Sequence, residues 1–306
     1  MFNGIPSSFS AQYWQRLVIF TVSMLLMAGL GLFIYFVILQ IDLFVTPKRN
    51  TQLTPPVELS PAYQDVMLTA ADGVKISGWY IPGTQPAGIV LVHGIHANRM
   101  AVLPEAKLLS RAGYHLLLID LRGHGRSEGN EVTYGYREAW DVQAAVDYLA
   151  AVPGVEQVGA LGTSLGGAAV ARAAALDPRI KVVVIESSYS SLPDAIEDAF
   201  DNFSIFPKQP FAPLFVSLVE WKLGFKAEQV DSARDLATLS PRAVFILHGT
   251  DDGLFPVRHA LKMYEAAQPP KELWLIDYLG HANPTEGREI EYQRRIVTFF
   301  KQAFAR

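Results

Sequence analysis

The stretch "VGALGTSLGGAAVARAAAL", Val158 to Leu176, sets a short strand-prone run against an Ala-rich helical one, with Ser164 at the joint and Gly162, Gly166 and Gly167 around it. Gly162-Thr163-Ser164-Leu165-Gly166 reads G-x-S-x-G. Glycines at those places let a strand turn sharply into a helix while the two elements pass close together, which leaves the residue at the tip exposed. The spacing therefore predicts a turn that presents the Ser164 hydroxyl. A serine is a weak nucleophile unless a base and an orienting carboxylate stand beside it, so both should follow later in the chain, in the order serine, acid, histidine.

Outward from that turn, apolar strand-like runs alternate with helical patterns. "GIVLVHG" precedes "MAVLPEAKLLSRAG", "HLLLIDLRG" precedes "REAWDVQAAVDYLAAV", "AVFILHG" precedes "RHALKMYEAA", and "ELWLIDYLG" precedes "REIEYQRRIVTFFKQAFA"; "KVVVIESS" adds a further strand. Near-continuous β-branched runs between helices predict an α/β architecture, a mostly parallel sheet covered on both faces. "QDVMLTAADGVKISGWYIP" predicts a hairpin turning at Ala71-Asp72-Gly73. The interval 189–242 breaks the alternation and is too long for a structureless loop, so it should hold helices of its own. Its aromatic and aliphatic content predicts a lid over the strand ends, with an ordinary helical crossover as the alternative.

Ligands in such sheets bind outside the carboxyl ends of the strands. There "LHGTDDGLFP" offers Asp251 and Asp252, and "YLGHANP" offers His281. The chain has no cysteine, which excludes disulfides, a thiolate nucleophile and Cys-ligated zinc. A net charge of −4 without a basic stripe gives no footprint for nucleic acid. His93 and His96 flank Gly94 with no third ligand at metal spacing, so they read as packing rather than a metal site. Gly123, Gly125 and Gly129 depart from the dinucleotide-loop spacing, and neither cofactor nor metal is expected. Trp140, Trp221 and Trp274 lie in apolar contexts and read as packing.

At the other end, "LVIFTVSMLLMAGLGLFIYFVIL", Leu17 to Leu39, carries no charge. As a helix it reaches about 35 Å, enough to span a bilayer. It exceeds the roughly 7–15 residues of a cleavable signal core and lacks a small-x-small site, so it reads as an uncleaved single-pass membrane anchor; a signal peptide and a buried helix are the other readings. Arg16 on one side and Lys48 and Arg49 on the other leave the side of the membrane open. The organisation expected is a flank over 1–16, the anchor over 17–41, a proline-bearing linker over 42–62 and one catalytic domain over 63–306. No period of 20–50 residues marks a solenoid.

From Tyr63 onward the chain resembles the α/β-hydrolase family. The motifs are the Ser164 turn, His93-Gly94, Asp120-x-Arg122-Gly123-x-Gly125-x-Ser127, Gly249-x-x-Asp252-x-x-Phe255-Pro256 and Gly280-His281. Within the family it is similar to membrane-anchored, serine aminopeptidase-like hydrolases with a small lid. The resemblance implies the α/β-hydrolase fold and selects Asp252 over Asp251, with Glu186 a less favoured substitute acid. It also implies that the N–H of Ile95 joins that of Leu165 in an oxyanion hole. The expected function is a serine hydrolase acting through Ser164, Asp252 and His281 on carboxylic esters of small molecules or lipids. A peptidase or amidase with the same residues, and a non-catalytic binding protein of the same fold, are the alternatives. Natural substrate, acyl length and oligomeric state are left open.

Overall fold

The computed structural model describes residues 11–306 apart from 58, 61, 205, 283, 285 and 286. Residues 1–10 of the expected flank lie outside the described residues. The chain divides into two units, one ending at Phe44 and one running from Val45 to Arg306. The first is essentially one helix, α1 (Ala11–Val45), 35 residues long and apolar enough to cross a membrane. It outruns the expected 17–41 at both ends, because nothing in Gln12, Gln15 or Arg16 breaks a helix and the first stop is Pro47.

The second unit is built on eight strands: β1 (Gln64–Thr69), β2 (Lys75–Ile81), β3 (Ala87–Val92), β4 (His115–Ile119), β5 (Gln157–Thr163), β6 (Ile180–Glu186), β7 (Ala243–Gly249) and β8 (Lys271–Ile276). Their order across the sheet is β1-β2-β4-β3-β5-β6-β7-β8. β1 and β2 pair antiparallel around the predicted Asp72-Gly73 turn, β2 pairs antiparallel with β4, and every later pairing is parallel. The helices are α2 (Leu103–Arg111), α3 (Glu138–Ala150), α4 (Leu165–Leu176), α5 (Leu192–Phe203), α6 (Lys208–Leu223), α7 (Ser232–Ala237), α8 (Arg258–Ala266) and α9 (Glu289–Phe304).

The unbroken apolar runs of the central strands follow from burial on both faces. Val90, Val92, Val183, Ile185, Val244 and Ile246 point into one core with α3, α4, α7 and α8. Ile89, Leu91, Val182, Val184, Phe245 and Leu247 alternate into the other, packed by α2 and α9. The 189–242 interval holds α5, α6 and α7, with Phe200 edge-on to Phe215 at 5.8 Å between the first two. Trp274 is buried beneath the Arg295 guanidinium at 4.5 Å, and Trp140 packs against a core with Arg122 over it at 5.5 Å. Trp221 corrects the packing expectation: it is 82% exposed. α6 buries Ala212, Val219 and Leu223, and a residue two places from Val219 falls on the opposite helical face.

The glycine-rich segment after β4 is held by buried charge. Asp120 accepts from Arg99 Nη2 at 2.7 Å, from the Arg99 N–H at 2.8 Å and from the Arg126 N–H at 2.8 Å. Burial pushes the Asp120 pKa up, but the hydrogen bond and charge of Arg99 outweigh it and hold the carboxyl below its ordinary value. Gly125 has φ 46°, and a Cβ there would lie 2.0 Å from an Asp120 oxygen, so that backbone must be glycine. Arg122 bridges Asp141 and Asp72, at 2.6 and 2.7 Å. Breaking a buried pair on one side costs about 3–5 kcal/mol by stranding a charge. Arg99→Met is accordingly expected to lower the unfolding free energy measured in denaturant by that order, and adding Asp120→Asn to recover part of it; an unchanged unfolding free energy in the single variant would show that Arg99 carries no such load.

Candidate active site

β5 ends at Thr163, α4 begins at Leu165, and Ser164 between them has φ 56° and ψ −119°. That conformation costs a side-chain-bearing residue of order 1–3 kcal/mol and persists only where the surroundings hold it. They hold it with three contacts. The Ser164 N–H donates to the Glu186 carbonyl at 2.8 Å, Ser188 Oγ donates to the Ser164 carbonyl at 2.7 Å, and Gly94 lies against Ser164 closely enough that a Cβ there would be 3.1 Å from the serine Cβ. The glycines permit the approach: a Cβ on Gly162 would sit 2.2 Å from the Gly166 carbonyl oxygen, and one on Gly166 would sit 2.4 Å from that of Val92.

Two later strand ends complete the cluster. His281 follows β8, and its Nε2 lies 3.1 Å from Ser164 Oγ while its Nδ1 lies 2.8 Å from Asp252 Oδ2. The other oxygen of Asp252, which follows β7, accepts the N–H groups of Leu254 and Phe255, both at 2.9 Å. An acceptor-only carboxylate at Nδ1 requires that nitrogen to carry the proton, which turns the lone pair of Nε2 toward the serine. Burial raises the Asp252 pKa, but the hydrogen bond and charge of His281 prevail and leave it below the ordinary 3.8. The Phe255 ring stands edge-on to His281 at 5.2 Å and fixes the plane of the imidazole.

Of the alternatives, Asp251 is exposed and accepts from Thr250 Oγ1 at 3.2 Å. Glu186 is turned away from His281, accepting from Thr163 Oγ1 at 3.0 Å and from the Tyr292 hydroxyl. Leu165 is the first residue of α4, so its N–H has no carbonyl within the helix to meet. Ile95 follows Gly94 in the turn that touches Ser164, and lines a cavity of 210 Å³ together with Ser164 and His281. His93 shapes that turn: its Nδ1 donates to the Gly94 carbonyl at 2.6 Å and its Nε2 accepts the Leu121 N–H at 3.1 Å. His96 accepts the Lys48 N–H at Nδ1, 3.0 Å away. The cavity takes its walls from this turn, α2 and the loops after β5, β7 and β8; the 189–242 segment contributes none of its described residues to it.

Sequence reading did not find three groups. His248, buried at the end of β7, sits 3.5 Å from Asp252 Oδ2 and turns its Nε2 to the Phe255 carbonyl at 2.7 Å, so it braces the loop that carries Asp252. Glu105, on α2, lines the cavity. A second serine–histidine–aspartate chain lies at the base of α5, where His259 Nδ1 is 2.9 Å from Ser190 Oγ and its Nε2 is 2.6 Å from Asp198 Oδ2. There the same Nδ1 also takes the Ser190 N–H at 3.1 Å, and Ser190 Oγ donates to Asp194 at 2.9 Å, so the hydroxyl is held rather than activated. Neither histidine nor glutamate belongs to a spacing motif, and only packing reveals them.

A family model described as alpha/beta hydrolase fold matches residues 89–214. The Pyrococcus furiosus esterase Pf2001 superposes with a TM-score of 0.71 at 28% identity, over 84% of this chain and 99% of that one. The uncharacterized protein YfhR of Salmonella typhi is 26% identical over 285 residues, 87% of this chain and 89% of its own. Polyketide transferase ATR5 of Stachybotrys chlorohalonatus is 24% identical over 294 residues, 77% of this chain and 98% of its own.

A carboxyl whose folded pKa is depressed contributes stability that is present above its unfolded pKa and is lost as pH falls through the folded value. For Asp252 the ordinary value is 3.8. The gap in unfolding free energy between wild type and Asp252→Asn is therefore expected at full size above about pH 5 and to close as pH falls below 3.8. Denaturant unfolding from pH 2 to 6 measures it, and a gap independent of pH contradicts the assigned charge state.

Proposed function

We propose, from the premise that this chain belongs to the α/β-hydrolase fold family, that it is a serine hydrolase cleaving carboxylic esters through an acyl-enzyme. The observation that carries the reading is the His281 imidazole seated between Ser164 Oγ at 3.1 Å and Asp252 Oδ2 at 2.8 Å. In this reading His281 Nε2 takes the hydroxyl proton as Ser164 Oγ attacks the ester carbon. Asp252 holds the tautomer and stabilises the imidazolium without itself taking the proton. The tetrahedral oxyanion is met by the N–H groups of Leu165 and Ile95, and each such donor is worth about 10²–10³ in rate where it has been removed. His281 then passes its proton to the departing alkoxide, and the acyl group remains on Ser164. Water, deprotonated by the same Nε2, attacks that ester, and collapse returns the proton to Ser164 and releases the acid.

Esters are favoured over amides by the esterase Pf2001, which matches this chain over most of both lengths. Helix α1 is proposed as a membrane anchor, on its length and its apolar surface.

Ser164→Ala is expected to lower hydrolysis of p-nitrophenyl esters by about 10⁴-fold or more and to abolish fluorophosphonate labelling, and Asp252→Asn to cost about 10³–10⁴ in kcat. Undiminished turnover by Ser164→Ala would refute the reading, and labelling without turnover of esters of any acyl length would move it to amide substrates. For the anchor, the full chain is expected to stay with membranes through an alkaline carbonate wash and the chain from residue 46 to be released; release of both denies α1 that role.

A further inference from the structure

Among the described residues that line the Ser164 cavity, the walls are mostly apolar: Ile95, Ala97, Ala101, Val102, Pro104, Leu254, Ala282 and Pro284. Glu105 is the one carboxyl among them. It is 4% exposed, and its Oε2 has no hydrogen-bond partner. Burial pushes its pKa up to about 8, and the carboxyl of Glu186 on β6 adds to the shift. Glu186 is itself raised, by burial, to about 7. Two further titratable neighbours carry no charge at neutral pH. Tyr292 on α9 is held far above its ordinary pKa by burial and by the two glutamates, and burial holds His93 neutral at about 4.

Burial and the Glu186 carboxyl both favour the un-ionised form of Glu105, which has one O–H to give and a carbonyl to receive. A purely alkyl group in this cavity offers the Glu105 carboxyl no partner, and a site with a buried polar group discriminates against ligands that leave it unpaired. A hydroxyl, which both donates and accepts, matches an un-ionised carboxyl. An ammonium would need the carboxylate, which burial and Glu186 disfavour. The acyl group is the part of an ester that stays on Ser164 through both half-reactions, and the cavity beside Ile95 is small enough, at 210 Å³, to hold a short one.

We propose that Glu105 is a specificity-determining residue of this site, and that the ester it selects carries a hydroxyl on a short acyl chain, hydrogen-bonded to the Glu105 carboxyl. The inference rests on the serine-esterase reading and deepens it to a substrate class.

The test compares p-nitrophenyl butyrate with p-nitrophenyl 2-hydroxybutyrate, 3-hydroxybutyrate and 4-aminobutyrate, on the full chain in detergent. Wild type is expected to show at least a tenfold higher kcat/KM for one of the hydroxy esters than for butyrate. Glu105→Leu is expected to reduce that ratio at least tenfold, and Glu105→Gln, whose amide still donates and accepts, to keep most of it. A wild-type ratio near one overturns the inference with no variant needed, as does a ratio that survives in a folded Glu105→Leu, or a preference for the ammonium ester. In each of those cases Ser164-dependent turnover of butyrate leaves the esterase reading standing. Loss of neither substrate in Ser164→Ala, or no turnover of any, removes that reading and this inference with it.

Discussion

The site depends on backbone packed directly on backbone where β5 turns into α4. Gly162 and Gly166 have no room for a Cβ, because the Gly166 and Val92 carbonyls already occupy that space. That proximity forces the chain to reverse within one residue and places the strain on Ser164, at φ 56°. The sheet sustains it: β6 supplies the carbonyl that takes the Ser164 N–H, and β3 supplies the turn that presses Gly94 against it. A flexible loop could not hold a side chain in so rare a conformation, and a wider strand–helix junction would not need to.

Charge does the rest of the positioning, and does it in two different regimes. Around Asp120, Arg99 and Arg122 the ionic groups are buried and paired, so the segment after β4 is a rigid support for the turn at His93-Gly94. At Asp252 the carboxylate is also buried, yet one of its oxygens is committed to a histidine that remains partly exposed. The contrast with Ser190, His259 and Asp198 shows that three residue types in a row do not make a reactive group. The hydroxyl of Ser190 is tied to Asp194, and burial together with the Arg258 charge pushes the His259 imidazolium down to about 4. Ser164 instead stands at its turn on the wall of a cavity.

Much of this was written locally. Strand after strand could be read from unbroken β-branched runs because both sheet faces are buried, and the G-x-S-x-G run announced its turn because only glycines fit that approach. The order serine, acid, histidine could be read because each residue follows its own strand. Trp221 shows where such reading fails: its apolar neighbours point inward while it points out, a matter of helical phase against a face that no local pattern identifies.

What the sequence by itself determined was therefore the sheet, the turn and the candidate residues, because period, glycine placement and strand-end position are local properties. What only the tertiary structure decided was which groups meet. It brought His281 within 2.8 Å of Asp252, turned Glu186 toward Tyr292, and brought Glu105 from a helix far earlier in the chain into the cavity beside Ser164. Hydrogen bonds act across about 3 Å between residues that are tens or hundreds of positions apart, and no spacing along the chain encodes that proximity.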